Sequence, residues 1–114
     1  MATASSTLVL TREHEDMRRG LRSFLQTASS ESEVRRLMET EDGFDPATWR
    51  RLTEEFAVTA LLVPEDVGGA GFGFVEMGVV LEEAGRALLV APLLSTVLAT
   101  TALVRSGDTE AQRR

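Results

Sequence analysis

The chain has 114 residues, of which 43% are hydrophobic and 26% are charged, and both figures are typical of one globular domain. It has no cysteine, no lysine and one histidine, His14, which excludes disulfide frameworks, thiolate or histidine-cluster metal sites and lysine chemistry. The net charge of −6 disfavours nucleic acid as a partner, because the phosphate backbone would be repelled.

Residues 1–10 are predicted to form a flexible N-terminal lead, since they are mostly small and polar. Their apolar patch is too short for a signal-peptide core, so we expect a cytoplasmic protein. Thr11 is a predicted N-cap, and acidic residues follow it in the first turns, where the helix dipole favours negative charge. The helix that starts there should end near Thr27. The apolar stripe of this helix consists of Met17, Leu21, Phe24 and Leu25.

Two shorter helices are predicted next. Ser30 and Glu33 have the spacing of a capping box, and Asp45 followed by Pro46 is a strong helix-start signal. The predicted inward-facing residues are Val34, Leu37 and Met38 in the first of these helices and Trp49, Leu52 and Phe56 in the second.

A glycine-rich loop occupies residues 61–74. Its candidate structural residues are Pro64, Gly68, Gly69 and Gly71, which end an apolar run and allow unusual backbone angles. A dinucleotide fingerprint is incomplete here, because Glu76 stands where the third glycine is needed and would repel a pyrophosphate. The sequence therefore favours a turn between two packed helices over a nucleotide site.

A fourth helix is predicted from Phe74, and a fifth from Leu93 to Val104, after Pro92. In the fourth, Gly78 and Gly85 lie on roughly one face, where a neighbouring backbone could come close.

No residue between Arg86 and Arg105 is charged. The proline and four hydroxyl side chains within this stretch argue against a membrane span, so we expect a helix buried on nearly all sides.

The adjacent acids of the chain are expected on solvated faces, because neighbouring residues on a helix point about 100° apart. These pairs are Glu54–Glu55 and Glu82–Glu83.

Gly107 fits a helix C-cap, and Asp108 fits the N-cap of a last helix that begins at 108 and is cut short at the end of the printed sequence. From that interruption we expect the sequence to be part of a longer protein. The residues alone thus predict an all-α domain over 11–114, an orthogonal bundle of about five helices, with no catalytic residues and no metal site of its own.

Residues 63–87 resemble the N-terminal helical domain of flavin-dependent acyl-CoA dehydrogenases. Pro64, Glu65, Gly68, Gly69 and Gly71 match the P-E-x-x-G-G-x-G loop of that family. Glu82, Glu83 and Arg86 match its E-E-x-(A/G)-R helix motif. The resemblance covers residues 11–114 and is strongest to bacterial members that degrade fatty acids and sterols.

The resemblance implies the N-terminal domain of an enzyme that removes hydrogen from the α,β bond of an acyl-CoA thioester. It implies FAD in the complete enzyme and none on this chain alone. It also implies that the remaining dehydrogenase domains or a partner subunit are the partners of this chain, and that the complete enzyme is an oligomer. It also implies that this domain forms one wall of the acyl pocket, from Leu93, Leu94, Thr96, Val97 and Thr100. A stand-alone helical module that pairs with a dehydrogenase subunit or binds acyl chains is the alternative.

Overall fold

The structure, a computed structural model, describes residues 9–114. Its elements in chain order are α1 (Arg12–Ala28), α2 (Glu31–Met38), α3 (Pro46–Glu55), a single 3-10 turn (Glu65–Val67), α4 (Phe74–Arg86), α5 (Leu93–Ser106) and α6 (Thr109–Arg113). Within this part of the chain there is no β-strand, so the predicted all-α class is confirmed. The predicted N-terminal lead falls almost wholly outside the described residues.

The helices begin where capping residues predict them to begin. Thr11, Ser30, Asp45 and Asp108 each accept a hydrogen bond from a backbone N–H in the first turn of the following helix. At the end of α5, Gly107 adopts a φ of 77°, the left-handed conformation that favours glycine at this position. Local capping chemistry therefore defines most of the helix boundaries.

One apolar core holds the helices together, and α1 packs along α4 at its centre. The buried cluster consists of Leu21, Leu25, Leu52, Val58, Leu61, Met77, Val80, Ala84, Leu93 and Val97. In α2 only Leu37 is fully buried, whereas the side of the helix that carries Met38 faces solvent, with that residue 71% exposed. The prediction that Met38 points inward is wrong, because a helix of eight residues offers only a narrow face to the core.

Helix α5 is not buried on nearly all sides, and that expectation is also wrong. Leu93 and Val97 are 6% and 7% exposed, but Leu94 and Leu98 on the other side are 63% and 62% exposed. The core lies against one side of α5 only, so the absence of charge does not mean that a helix is enclosed. Among residues 9–114, no helix has both the length and the apolar character needed to cross a bilayer.

Candidate functional site

The glycine-rich loop is folded tightly on itself before α4. Gly68 and Gly71 have φ angles of 94° and 72°, in the region that side chains disfavour. A Cβ atom on Gly69 would lie 2.0 Å from the carbonyl oxygen of Val63, so no side chain fits there. The close approach of two backbone segments thus requires glycine at position 69.

The backbone N–H groups of residues 68–73 all donate within the chain. Five of them donate to carbonyl oxygens of residues 60–65, and the N–H of Gly73 donates to Glu76 Oε1 at 2.7 Å. A nucleotide phosphate is held by N–H groups that are free to point at it. The loop therefore does not fit the pyrophosphate of FAD, and its glycines act in packing.

Glu76 joins the start of α4 to the start of α1. Its second oxygen, Oε2, lies 2.5 Å from Nε2 of His14. Nδ1 of His14 accepts the N–H of Thr11 at 3.0 Å, which places the imidazole proton on Nε2. Burial raises the pKa of Glu76, but the hydrogen bonds from Gly73 and His14 outweigh burial and lower it. Nε2 of His14 thus links α1 to α4, while Nδ1 caps the start of α1.

Glu83 is buried, and the expectation that both acids of its pair face solvent is wrong for this residue. Its side chain is 1% exposed, against 67% for Glu82. Arg22 donates to both oxygens of Glu83 at 2.8 Å, and Arg18 donates to Oε2 at 2.8 Å. Arg22, aided by Arg18, lowers the pKa of Glu83 to about 2 against the opposing effect of burial. The ion-pair cluster of buried Glu83 with Arg18 and the partly exposed Arg22 fastens α4 to α1.

The five residues predicted for the acyl wall lie on different sides of α5. Leu93 and Val97 belong to the core, whereas Leu94 points outward. Thr96 and Thr100 are half-buried. The other four have the i, i+3, i+4, i+7 spacing of one helix face, so Leu94 is the residue that departs from it.

The hydroxyl groups of α5 are largely satisfied within the helix. Thr96 donates to the carbonyl oxygen of Pro92 at 2.5 Å, and Thr101 donates to that of Val97 at 2.7 Å. This bonding to the residue four positions back is the usual arrangement for threonine in a helix. The outer side of α5 therefore presents mainly apolar groups, led by Leu94 and Leu98.

A family model for the acyl-CoA dehydrogenase N-terminal domain matches residues 11–114. The chain belongs to this family. The recognition of an acyl-CoA dehydrogenase N-terminal domain from the glycine loop and the E-E-x-G-R helix is thereby confirmed.

Similar proteins share this assignment. Acyl-CoA dehydrogenase IpdE2 of Mycolicibacterium smegmatis is 43% identical over 101 residues, which cover 89% of this chain and 32% of the relative. The Mycobacterium tuberculosis protein of the same name is 36% identical over 100 residues, covering 88% and 31%. A chain in the crystal structure of the ChsE4–ChsE5 complex from M. tuberculosis superposes with a TM-score of 0.79 at 32% identity, covering 93% of this chain and 29% of that one.

The acyl-CoA dehydrogenase N-terminal domain described here thus spans about a third of the length of the curated relatives in this comparison. Within it, the ionisable side chains of His14, Glu76 and Glu83 all bind groups on other helices. The described residues also form a tightly folded loop before α4 and an apolar outer side on α5.

Proposed function

We propose that this chain is the N-terminal domain of an FAD-dependent acyl-CoA dehydrogenase, which removes hydrogen from the α,β bond of an acyl-CoA thioester. The observation that carries the proposal is the family match over residues 11–114. By likeness to the family, the flavin and the catalytic base would lie in parts of the complete enzyme outside this domain; for the flavin, the engaged N–H groups of the glycine loop support this. In that complete enzyme, FAD would accept the hydride from the β carbon and the catalytic base would take the proton from the α carbon.

The contribution of this domain is one wall of the acyl pocket, built on α5. The absence of charge between Arg86 and Arg105 supports this assignment, since an acyl chain needs an apolar surface. Of the predicted wall residues, Leu94 would touch the acyl chain directly, and its exposure supports this role. Leu93 and Val97 would act from behind, by fixing the helix against the core.

We also propose that the complete protein is an oligomer in the cytoplasm. The structural relative is a chain of a complex named for two components, which supports assembly with a second subunit. The exposed apolar side chains of Leu94 and Leu98 support the same view, because large exposed apolar patches mark binding surfaces.

The experiment uses the full-length product of the gene, purified from its native or a related host. We expect it to carry FAD, and we expect its flavin absorbance to fall when an acyl-CoA is added without an electron acceptor. Replacement of Leu94 by glutamate should raise the KM for acyl-CoA at least about tenfold while the flavin content stays unchanged.

Met38→Glu is the matched control, because Met38 is an equally exposed apolar residue on a different helix, at 71% against 63% for Leu94. It should leave both KM and flavin content unchanged. A full-length protein that purifies without flavin and does not react with acyl-CoA would contradict the proposal and favour a non-catalytic helical module.

A further inference from the structure

The first turns of α1 and α4 are capped in the same way. In α1 the backbone N–H of His14 donates to Thr11 Oγ1 at 3.3 Å, and the N–H of Thr11 donates back to Nδ1 of His14 at 3.0 Å. In α4 the N–H of Gly73 donates to Glu76 Oε1 at 2.7 Å. In each helix, the side chain of the third residue thus returns to the backbone of the cap.

The two returning side chains also bind each other. Nε2 of His14 lies 2.5 Å from Glu76 Oε2, and each of these side chains is 16% exposed. A continuous row of hydrogen bonds therefore runs from the N–H of Thr11, through the imidazole and the carboxylate, to the N–H of Gly73. It connects the chain that leads into α1 with the end of the glycine loop.

Only one form of the imidazole satisfies every bond in this row. Nδ1 must be an acceptor for Thr11, so the proton of the neutral ring is on Nε2, where it points at Glu76. A second proton can be added only at Nδ1. The imidazolium has no acceptor atom, so its Nδ1–H would face the Thr11 N–H, one donor against another. Protonation therefore breaks the bond that Thr11 donates.

The contact with α4 survives the same protonation. Glu76 is the charged group that faces His14 from α4. Its pKa, which burial raises, is lowered overall by the hydrogen bonds from Gly73 and His14, so it stays a carboxylate in weak acid. The Nε2–H of an imidazolium would then donate to an opposite charge, which strengthens the bond.

The other charges near His14 lie on α1 itself. Glu13 is close enough to attract an imidazolium, whereas the positive N-terminal ends of α1 and α4 oppose it. Arg18, one turn further along, is engaged by Glu82 and Glu83 at 3.1 and 2.8 Å. The remaining charged residues in the first turns of α1 are Arg12, Glu15 and Asp16.

We propose that His14 is a proton-operated switch at the start of α1. When the ring is neutral, it holds both the cap of α1 and the contact with α4. When the ring is protonated, the N–H of Thr11 loses its partner and the chain that leads into α1 is held less firmly, while the bond to Glu76 keeps α1 on α4. Acid thus loosens the entry of one helix and leaves the packing of the two helices intact.

The experiment is an NMR titration of the isotope-labelled 114-residue chain from about pH 8 to about pH 5, the range in which histidine side chains change charge. The ring signal is unambiguous, because the sequence has one histidine. The amide signal of Thr11 should change with the same midpoint as the His14 ring. Exchange of the Thr11 amide with water, relative to an unfolded chain at the same pH, should rise at least about fivefold, since one hydrogen bond is lost.

Two amides serve as internal controls. The Gly73 amide should keep its relative exchange rate across the range, because its acceptor Glu76 stays charged. The Glu33 amide donates to Ser30 Oγ at 3.3 Å in the cap of α2, where no histidine takes part, and should also stay unchanged. Contacts between the His14 ring and the Glu76 side chain, seen as nuclear Overhauser effects, should persist in acid.

His14→Gln is the decisive variant. Glutamine at this position can still accept the N–H of Thr11 but gains no proton, so its Thr11 amide should not titrate between about pH 8 and about pH 5. Gly20→Ala, on the same helix but away from the cap, is the matched control and should titrate like the parent chain. Circular dichroism melting checks that each variant is folded.

The parent chain alone can overturn the proposal. It fails if the His14 ring does not titrate in this range, or titrates without a change in the Thr11 amide. It fails equally if the Thr11 and Gly73 amides lose protection together, since the contact between the helices would then be lost with the cap. A Thr11 amide that still titrates in folded His14→Gln would assign the change to another group and contradict the proposal as well.

Discussion

A carboxylate that is withdrawn from water is stable only when charged donors surround it. Glu83 meets this condition through Arg18 and Arg22, which both lie on α1 and bind it at 2.8 Å. Glu82, its neighbour in the sequence, is two-thirds exposed and forms an ion pair with Arg18. The same residue type in adjacent positions thus has two different effects on stability.

Replacing Glu83 with glutamine should lower the free energy of unfolding by about 3 kcal/mol, because two guanidinium groups lose their charged partner. Glu82→Gln should lower it by less than about 1 kcal/mol, since an exposed ion pair is screened by water. Urea denaturation followed by circular dichroism measures both changes. Equal effects of the two substitutions would mean that the burial of Glu83 has no energetic consequence.

Stability should fall in acid because of the same carboxylate. The pKa of Glu83 is lowered to about 2 in the folded protein, whereas an unfolded glutamate titrates near about 4.3. Between these values the unfolded chain binds more protons, so the free energy of unfolding falls as the pH falls from about 4.5 to about 2. Denaturation midpoints measured across this range should show the decline in the parent chain and a shallower one in Glu83→Gln.

The position of Glu83 could not be predicted from the adjacent pair of acids alone. Its burial depends on α1 lying along α4, which is a long-range contact between distant parts of the sequence. A signal was present in Arg18 and Arg22, which are four residues apart and therefore share one face of α1. This pair of arginines predicts a buried carboxylate only once α4 is known to be the helix that packs against α1.

Helix boundaries, by contrast, were predicted within one or two residues, because caps are local. The start of α3 at Pro46 needs only Asp45, and the end of α5 needs only Gly107. The composition of the glycine loop is enough to recognise it, but it does not predict why each of these positions must be glycine. Only the folded loop shows that Gly69 lies against the backbone of Val63.

Gly69→Ala should therefore lower the free energy of unfolding by at least about 2 kcal/mol, since its methyl group would overlap the Val63 carbonyl. Gly20→Ala is the comparison at an exposed helix position, where the nearest atom would be 3.9 Å away. It should raise stability by up to about 1 kcal/mol, because alanine favours a helix. Thermal melting of the two variants should move in opposite directions from the parent chain.

For the whole molecule, the all-α class could be predicted because apolar residues recur at helical spacing through most of the chain. The sequence does not predict how many faces of each helix are covered, because composition does not show which elements pack beside the helix. Helix α5 shows the difference: its run without charge suggested enclosure, yet only the side with Leu93 and Val97 is buried. The acyl wall predicted on this helix stays a prediction.

The two sides of α5 should respond differently to the same substitution. Val97 is 7% exposed and belongs to the core, so Val97→Glu would bury an unpaired carboxylate and should unfold the domain or cost several kcal/mol. Leu98 is 62% exposed, so Leu98→Glu should change the free energy of unfolding by no more than about 0.5 kcal/mol. Chemical denaturation of the two variants measures this contrast. If Leu98→Glu destabilises the isolated domain as much as Val97→Glu, then α5 is enclosed on both sides. Its outer face could then not be a wall offered to an acyl chain, and the proposed function would lose its structural support in this helix.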